Sequence, residues 1–324
     1  MEAHTAASST RSLVPTMVLV GITAVWGSTF FMIKGLLVDV PPLDFLGLRF
    51  AVAGAVMLAA FPQRLRRAGA ATWRRGTVLG ALYTSAQIAQ TIGLEHTHAS
   101  VSGFITGTCV VLTPVLMVLL FRQRLPGSVW ASVALATVGL MVLSLRGWVF
   151  GTGEAVTLLG AFLYALHIVT LGRWAGRDNP LTLAAVQLVT IGVFSLLGAA
   201  PGGITMPATG GQWAVVVYTA LFAGIVAMVA QTWAQSRIPA TTAALVFTLE
   251  PVFAALFAIL FGGESMTPRL LVGGALVLAA TIGVEVVPRM RDRARDLPAV
   301  PDAVASAPTD TTGVARGGGR HPAD

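Results

Sequence analysis

The chain has 324 residues, of which 55% are hydrophobic and 11% charged, with a mean hydropathy of +0.78. A soluble domain carries about 25% charged residues, so this composition excludes a water-soluble core of such size and implies an integral membrane protein. The net charge of +7 comes from arginine clusters between apolar runs, with Lys34 the one lysine; clusters so placed are topology signals beside membrane spans rather than nucleic-acid contacts. The single cysteine, Cys109, excludes an intrachain disulfide or a multi-cysteine metal site and reads as a small buried hydrophobe.

Ten apolar segments are predicted as helices that cross a hydrocarbon core of about 30 Å. Their apolar runs are continuous, unlike the alternating strands of an outer-membrane barrel. After a tail over 1–14, the first span lies near 15–34 and contains "AVWGSTFFMIKG". Gly27 and Ser28 let a neighbouring helix come close, Ser28 and Thr29 can bond within their own helix, and Lys34 can snorkel to the interface. No small-x-small cleavage site follows, so a cleaved signal peptide is not the economical reading. The second span, near 43–61, carries Arg49. The third, near 76–94, is the most polar, with Tyr83, Gln87 and Gln90; Glu95, His96 and His98 follow it as solvated loop residues.

The fourth and fifth spans lie near 99–121, with Pro114, and near 128–145. The sixth, near 154–174, puts Tyr164 and His167 one turn apart on one face. The seventh, near 181–200, holds Gln187. The eighth, near 212–232, holds Gln231, with Trp233 just beyond. The ninth, near 241–261, carries Glu250 and Pro251, and the tenth lies near 269–287. Trp73, Trp148 and Trp213 stand near span ends as interfacial anchors. The tail over 288–324 begins basic and then becomes rich in Pro, Ala, Gly, Thr and Asp; it is expected to be disordered. With the N-terminus in the cytoplasm, most arginines fall in inside segments and only Lys34, Arg146 and Arg269 fall outside, which favours both termini inside.

The second half echoes the first. At an offset of about 138, Ile22 aligns with Gly160, Trp26 with Tyr164, Pro42 with Pro180 and Arg49 with Gln187; "QTIGLEHTHA" at 90–99 likewise aligns with "QTWAQSRIPA" at 231–240. The expected units are thus 15–145 and 154–287. Five helices each is an odd number, so the second copy enters from the opposite side. Two inverted five-helix repeats are a common physical basis of alternating access. Pro114 and Pro251 are the expected helix kinks. They stand at different distances from Ala99 and Ala240, so the kinks are expected at different depths.

These stretches carry a family resemblance: "AVWGSTFFMIK", "PPLDFLGLRFAVAGAVML", "IGLEHTHASVSGFITGTCVVLTPVL" and "TTAALVFTLEPVFAALFAILFGGE". The chain resembles the EamA group of the drug/metabolite transporter superfamily over about residues 15–287. The resemblance implies an all-α protein of ten transmembrane helices in two repeats, in the bacterial inner membrane, that exports or exchanges small metabolites. Gly263-Glu264 keeps an ending the family uses after the ninth helix; the corresponding place after the fourth holds Arg122 and Arg124.

Polar groups in apolar spans need partners, a water-facing position or a function. Arg49 either meets an anionic group of a solute or pairs with Asp44 or helix-end carbonyls. Glu250 is the proton-coupling candidate, or a structural partner of Arg49 or of nearby helix ends. Gln87, Gln90, Gln187 and Gln231 are solute contacts or interhelical bonds. Trp26, Phe30, Tyr83, Tyr164, His167 and Trp233 are candidates for an aromatic-lined cavity. There is no phosphate-binding Gly-rich loop, His-Glu-x-x-His or Gly-x-Ser-x-Gly motif, so neither an enzyme, a cofactor nor ATP hydrolysis is expected. The leading reading is a secondary transporter of a small organic solute such as an amino acid, coupled to protons or a counter-substrate. A permeation pore and a non-transporting membrane scaffold are its rivals. The small-residue pattern "GFITG" at 103–107 serves packing within or between chains, which leaves a homo-oligomer open.

Overall fold

A computed structural model describes residues 2–96, 99–144, 151–262, 266–268 and 271–283. His98, Arg146, Trp148, Gly263-Glu264, Arg269 and the tail over 288–324 lie outside the described residues. Within them the chain is all-α. The helices are α1 (Glu2–Leu36), α2 (Pro42–Ala60), α3 (Pro62–Arg67), α4 (Ala70–His96), α5 (Ala99–Gly107), α6 (Cys109–Phe121) and α7 (Gly127–Ser144). They continue with α8 (Thr152–Trp174), α9 (Pro180–Ala199), α10 (Gly210–Tyr218), α11 (Ala227–Gln235), α12 (Ala240–Phe247), α13 (Glu250–Gly262) and α14 (Leu271–Gly283).

Among the described residues, six helical stretches are long and apolar enough to cross a membrane: Leu13–Leu36, Pro42–Ala60, Thr152–Arg177, Pro180–Gly202, Gly210–Gln235 and Ala240–Phe261. Helix α4 has 27 residues, ample length at 1.5 Å per residue, yet it is not one of them. Its polar side chains explain this: Tyr83, Thr84, Gln87 and Thr91 are buried inside the bundle.

The molecule is apolar on the outside and partly polar within, as lipid requires. Leu119, Leu197, Leu260 and Phe261 are more than 60% exposed, while Thr23, Thr157, His167 and Gln187 are fully buried. Buried hydroxyls bond back along their own helices: Thr23 Oγ1 donates to Leu19 O at 2.7 Å, Thr84 to Gly80 O at 2.8 Å and Thr190 to Val186 O at 2.9 Å. Such bonds satisfy the hydroxyl without needing another helix.

The most extensive packing joins helices from opposite halves of the sequence, α2 with α9, α4 with α8 and α1 with α13. Small residues make it possible, as in other membrane bundles. A Cβ on Gly192 would lie 2.6 Å from Phe50 O, and one on Gly27 would lie 2.7 Å from Phe253 Cβ and 2.8 Å from Ala254 N. The close approach expected at Gly27 is therefore the contact of α1 with α13.

Two interruptions shape the centre. The fourth apolar segment breaks at Thr108, between α5 and α6, where Thr108 Oγ1 donates to Ile105 O at 2.5 Å. The ninth breaks at Thr248–Leu249, where Thr248 Oγ1 donates to Leu245 O at 2.6 Å. Pro114 lies inside α6, six residues beyond its break, and Pro251 is the second residue of α13, a position that needs no intrahelical N–H. The breaks therefore sit at the two threonines, ahead of both prolines. In the alignment of residues 90–99 with 231–240 Thr108 falls opposite Leu249, so the two breaks lie within one position of each other.

Overpacking a close helix contact costs typically about 1–3 kcal/mol. Gly192→Val is expected to lower the thermal midpoint in detergent, whereas Gly21→Ala, with open space around it, is expected to leave it unchanged. Scanning fluorimetry of the two variants beside the wild type checks this.

Candidate functional site

Both interruptions face one cavity of about 90 Å³, several times the roughly 10–15 Å³ that a single water needs. Cys109, the first residue of α6, and Glu250, the first of α13, line it together with Thr106 and Phe247 from the helices before each break. Broken backbone at membrane depth is tolerated where it lines a cavity of this kind.

Of the residues singled out in the sequence, Trp26, Phe30, Arg49, Tyr83, Gln87, Gln90, Tyr164, His167, Gln231 and Glu250 line this cavity. Two candidates do not. Gln187 lies behind it: its Oε1 is 3.1 Å from His167 Nε2, and its Nε2 donates to Thr232 Oγ1 at 3.3 Å. Trp233 packs on the neighbouring core under the Arg237 guanidinium, 4.3 Å from its ring; one position along the helix from Thr232 turns it away. Sequence reading passed over Thr29, Ile33, Phe45, Thr91, Leu94 and Thr106, which also line the cavity. Thr91 and Thr106 had a signal, being polar positions in otherwise apolar spans. Cys109 is buried, as expected, but on the cavity wall.

The walls are held by aromatic contacts and a connected set of hydrogen bonds. Tyr83 meets Tyr164 edge-on at 5.7 Å and His167 at 5.3 Å. Tyr164 Oη donates to Gln90 Oε1 at 2.9 Å, Gln90 Nε2 donates to Thr106 Oγ1 at 3.1 Å, and Gln87 Nε2 donates to Tyr83 Oη at 3.1 Å. The chain Tyr164–Gln90–Thr106 thus joins α8, α4 and α5. Trp26 packs against Phe247 with ring centroids 5.3 Å apart, and its indole N–H donates to Ala223 O at 3.0 Å. Ala223 belongs to a π-helical turn, Thr219–Val226, between α10 and α11; such turns recur at functional sites. Ser28 Oγ, two residues along α1, is 2.9 Å from Tyr218 Oη.

Arg49 and Glu250 are a basic and an acidic side chain on the cavity wall. Arg49 is 3% exposed, with its Cζ 4.7 Å from the Phe50 ring and 5.9 Å from that of Phe45. The expected alternative, a pair with Asp44, is not formed, because Asp44 Oδ2 accepts from the backbone N–H of Thr205 at 2.9 Å. Nor does Arg49 pair with Glu250: among the described residues neither takes part in an ion pair, and Arg49 Nε has no hydrogen-bond partner. Glu95 and His96 are exposed as expected but are the last residues of α4 rather than loop residues, and they approach only to 3.9 Å.

The cavity residues of α1 and α4 lie toward Leu36 and His96, the ends of those helices. At the other end a polar fork bridges the helices. Arg75, near the start of α4, donates from Nε to Asp178 Oδ2 at 2.6 Å and from Nη2 to Oδ1 at 2.8 Å, and Thr72 Oγ1 donates to Oδ1 at 2.6 Å. Asp178 sits in the link between α8 and α9, so this fork joins the two halves of the chain. The Arg75 hydrogen bonds, with help from Thr72, hold the Asp178 carboxyl below the usual carboxylate range.

Comparison with known proteins places these features in context. The model of the EamA-like transporter family matches residues 14–145 and again residues 151–286. An uncharacterized transporter of Archaeoglobus fulgidus is 30% identical over 82% of this chain and 83% of its own length. The inner membrane transporter YedA of Escherichia coli, itself uncharacterized, is 26% identical over 84% of this chain and 91% of its own. The threonine/homoserine exporter RhtA of Escherichia coli is 28% identical over 56% of this chain, which spans 62% of that relative. A solved crystal structure superposes with a TM-score of 0.69 at 21% identity, covering 85% of this chain and 98% of that one; it shows a shared fold.

A carboxylate with a lowered pKa contributes stability above the ordinary carboxylate range, and loses it as pH falls through the lowered value. The Arg75–Asp178 contribution is therefore expected to be complete at neutral pH and to disappear only in acid. Asp178→Asn should lower the thermal midpoint at pH 7 and flatten the acid limb of its pH dependence. Thermal melts of both proteins across the acid range check this.

Proposed function

The chain belongs to the EamA-like transporter family, and from that premise we propose that it is a secondary exporter of zwitterionic small molecules of the amino-acid class. The observation that carries the substrate class is the pair Arg49 and Glu250, a cation and an acid on one small cavity with no ion-pair partner among the described residues. Leaving buried charge unpaired is costly, and a solute bearing a carboxylate and an ammonium group would relieve both ends at once. The guanidinium suits a carboxylate by its forked donors. The naming of the relative RhtA for threonine and homoserine supports the same class.

In this reading ten helices cross the inner membrane as two inverted five-helix repeats, 15–145 and 154–287, with both termini in the cytoplasm. The two matches to one family model and the matching breaks at Thr108 and Thr248 support that arrangement. The cavity belongs to an outward-facing form, and the Arg75–Asp178–Thr72 fork closes the cytoplasmic end. Export requires that fork to open while the outer ends of α1 and α4 close, the exchange that inverted repeats provide. Glu250 can hold either a proton or the ammonium group of the solute, but not both. That exclusivity couples outward movement of solute to inward movement of protons.

Counterflow in proteoliposomes tests this reading. Threonine or a similar neutral amino acid is expected to exchange with saturation, while its decarboxylated and deaminated analogues exchange at least about tenfold less well, as loss of one charged hydrogen bond implies. Arg49→Gln should raise the half-saturating concentration by a similar factor, and Glu250→Gln should abolish acceleration by a pH gradient. Equal exchange of the three solutes would overturn the zwitterion assignment. Unchanged pH-driven flux in Glu250→Gln would overturn the coupling role.

A further inference from the structure

Beside the Arg75–Asp178 fork, at the end of the bundle away from the cavity, a polar groove of about 510 Å³ runs between α3 and the start of α9. Gln63, Arg64, Arg67, Thr72, Asn179 and Thr182 line it together with Ala68 and Gly69, and no carboxylate is among the lining residues. Arg64 and Arg67 are exposed and form no ion pair among the described residues. The acid next to the groove, Asp178, is already bound in two places by Arg75 and in a third by Thr72. The positive charge of the groove is thus uncompensated.

The groove is also built in place. Leu65 is buried on the inner face of α3 at 5% exposure, and Trp73 Nε1 donates to Leu65 O at 3.3 Å, which pins the short helix to α4 and turns Arg64 and Arg67 to the other side. The Asn179 side chain caps α9 by accepting from Thr182 N at 3.2 Å. The membrane-length stretches flanking the groove end at Ala60 and begin at Pro180, so it lies at the edge of the hydrocarbon, the depth of lipid phosphates. A topology signal needs only arginines on one side of the membrane. It does not need two of them to converge with amides and hydroxyls on a concave, acid-free surface. Arg66, on the same helix, does not line the groove.

We infer that this groove binds a phosphate group, carried by an anionic phospholipid headgroup or by a free phosphate ester. The two guanidinium forks match phosphate oxygens, and the side-chain amide N–H groups of Gln63 and Asn179 supply further donors, the Thr72 and Thr182 hydroxyls being already engaged with Asp178 and Asn179. Basic pockets at the ends of membrane helices recognise phospholipid headgroups by this chemistry.

The test uses the purified full-length chain in a neutral detergent, with binding of phosphatidylglycerol, phosphatidylcholine and glycerol 3-phosphate measured at fixed ionic strength by native mass spectrometry. Phosphatidylglycerol bound at least about tenfold more tightly than phosphatidylcholine, with glycerol 3-phosphate inert, assigns the lipid as the source. Comparable binding of glycerol 3-phosphate assigns a free phosphate ester. In either case Arg64→Gln/Arg67→Gln should remove the preference while Arg66→Gln, an equal loss of charge per site, keeps it. Arg64→Lys/Arg67→Lys, which preserves topology charge and folding, should retain only part of it. No preference for either anionic ligand in the wild type, or an equal loss in Arg66→Gln and in the double variant, would overturn the proposal.

Discussion

Everything at the centre of this molecule follows from one constraint: a backbone that leaves helical geometry inside a membrane must find its hydrogen bonds within the protein. The chain breaks two helices, at Thr108 and at Thr248–Leu249, and in each case the threonine hydroxyl bonds back to a carbonyl three residues earlier. The same logic governs the π-helical turn at Thr219–Val226, where the Trp26 indole supplies a donor to Ala223 O. The residues flanking the two helix breaks line the cavity, and the π-helical turn reaches it only through the bond to Trp26. The cavity's ionisable groups, Arg49 and Glu250, are tolerable because they face that space and not lipid.

Around the centre the packing is made by small residues, so helices from opposite halves of the chain approach at Gly27 and Gly192. Side chains of intermediate polarity then connect the helices, as in the run from Tyr164 through Gln90 to Thr106. The result is a bundle with one end joined by the Arg75–Asp178–Thr72 fork and a central cavity nearer the other. In the proposed transport cycle the fork is the contact to be broken, and it is well suited to that task. An ion pair at the bundle end can exchange its partners for water, whereas a buried apolar seal cannot.

Much of this was legible in the sequence, for reasons that are physical. Apolar runs of membrane length, arginine placement and polar residues inside the spans all report on the cost of polar groups in lipid, and that cost is large enough to leave a plain pattern. Ten of the candidate residues, including Trp26, Arg49 and Glu250, consequently share the cavity wall. What pattern does not carry is the rotation of a helix and the position of a break. Trp233 is one residue away from Thr232 and points elsewhere, and Gln187 supports His167 from behind instead of facing the cavity. The breaks carry threonine hydroxyl bonds to Ile105 O and Leu245 O, and such threonines look ordinary in a sequence. The Asp178 contact was invisible because Arg75 is 103 residues away.

The account rests on a solute spanning the two uncompensated charges of the cavity. Solid-state NMR of the full chain in lipid, with ¹⁵N-labelled arginine and a ¹³C-carboxyl, ¹⁵N-amino labelled amino acid bound, reads those distances directly. The account predicts close dipolar contact between the solute carboxylate and the guanidinium of Arg49, absent in Arg49→Gln, with the amine nearest the Glu250 carboxyl. A bound solute whose carboxylate shows no contact with Arg49, or whose contacts persist in Arg49→Gln, would contradict it.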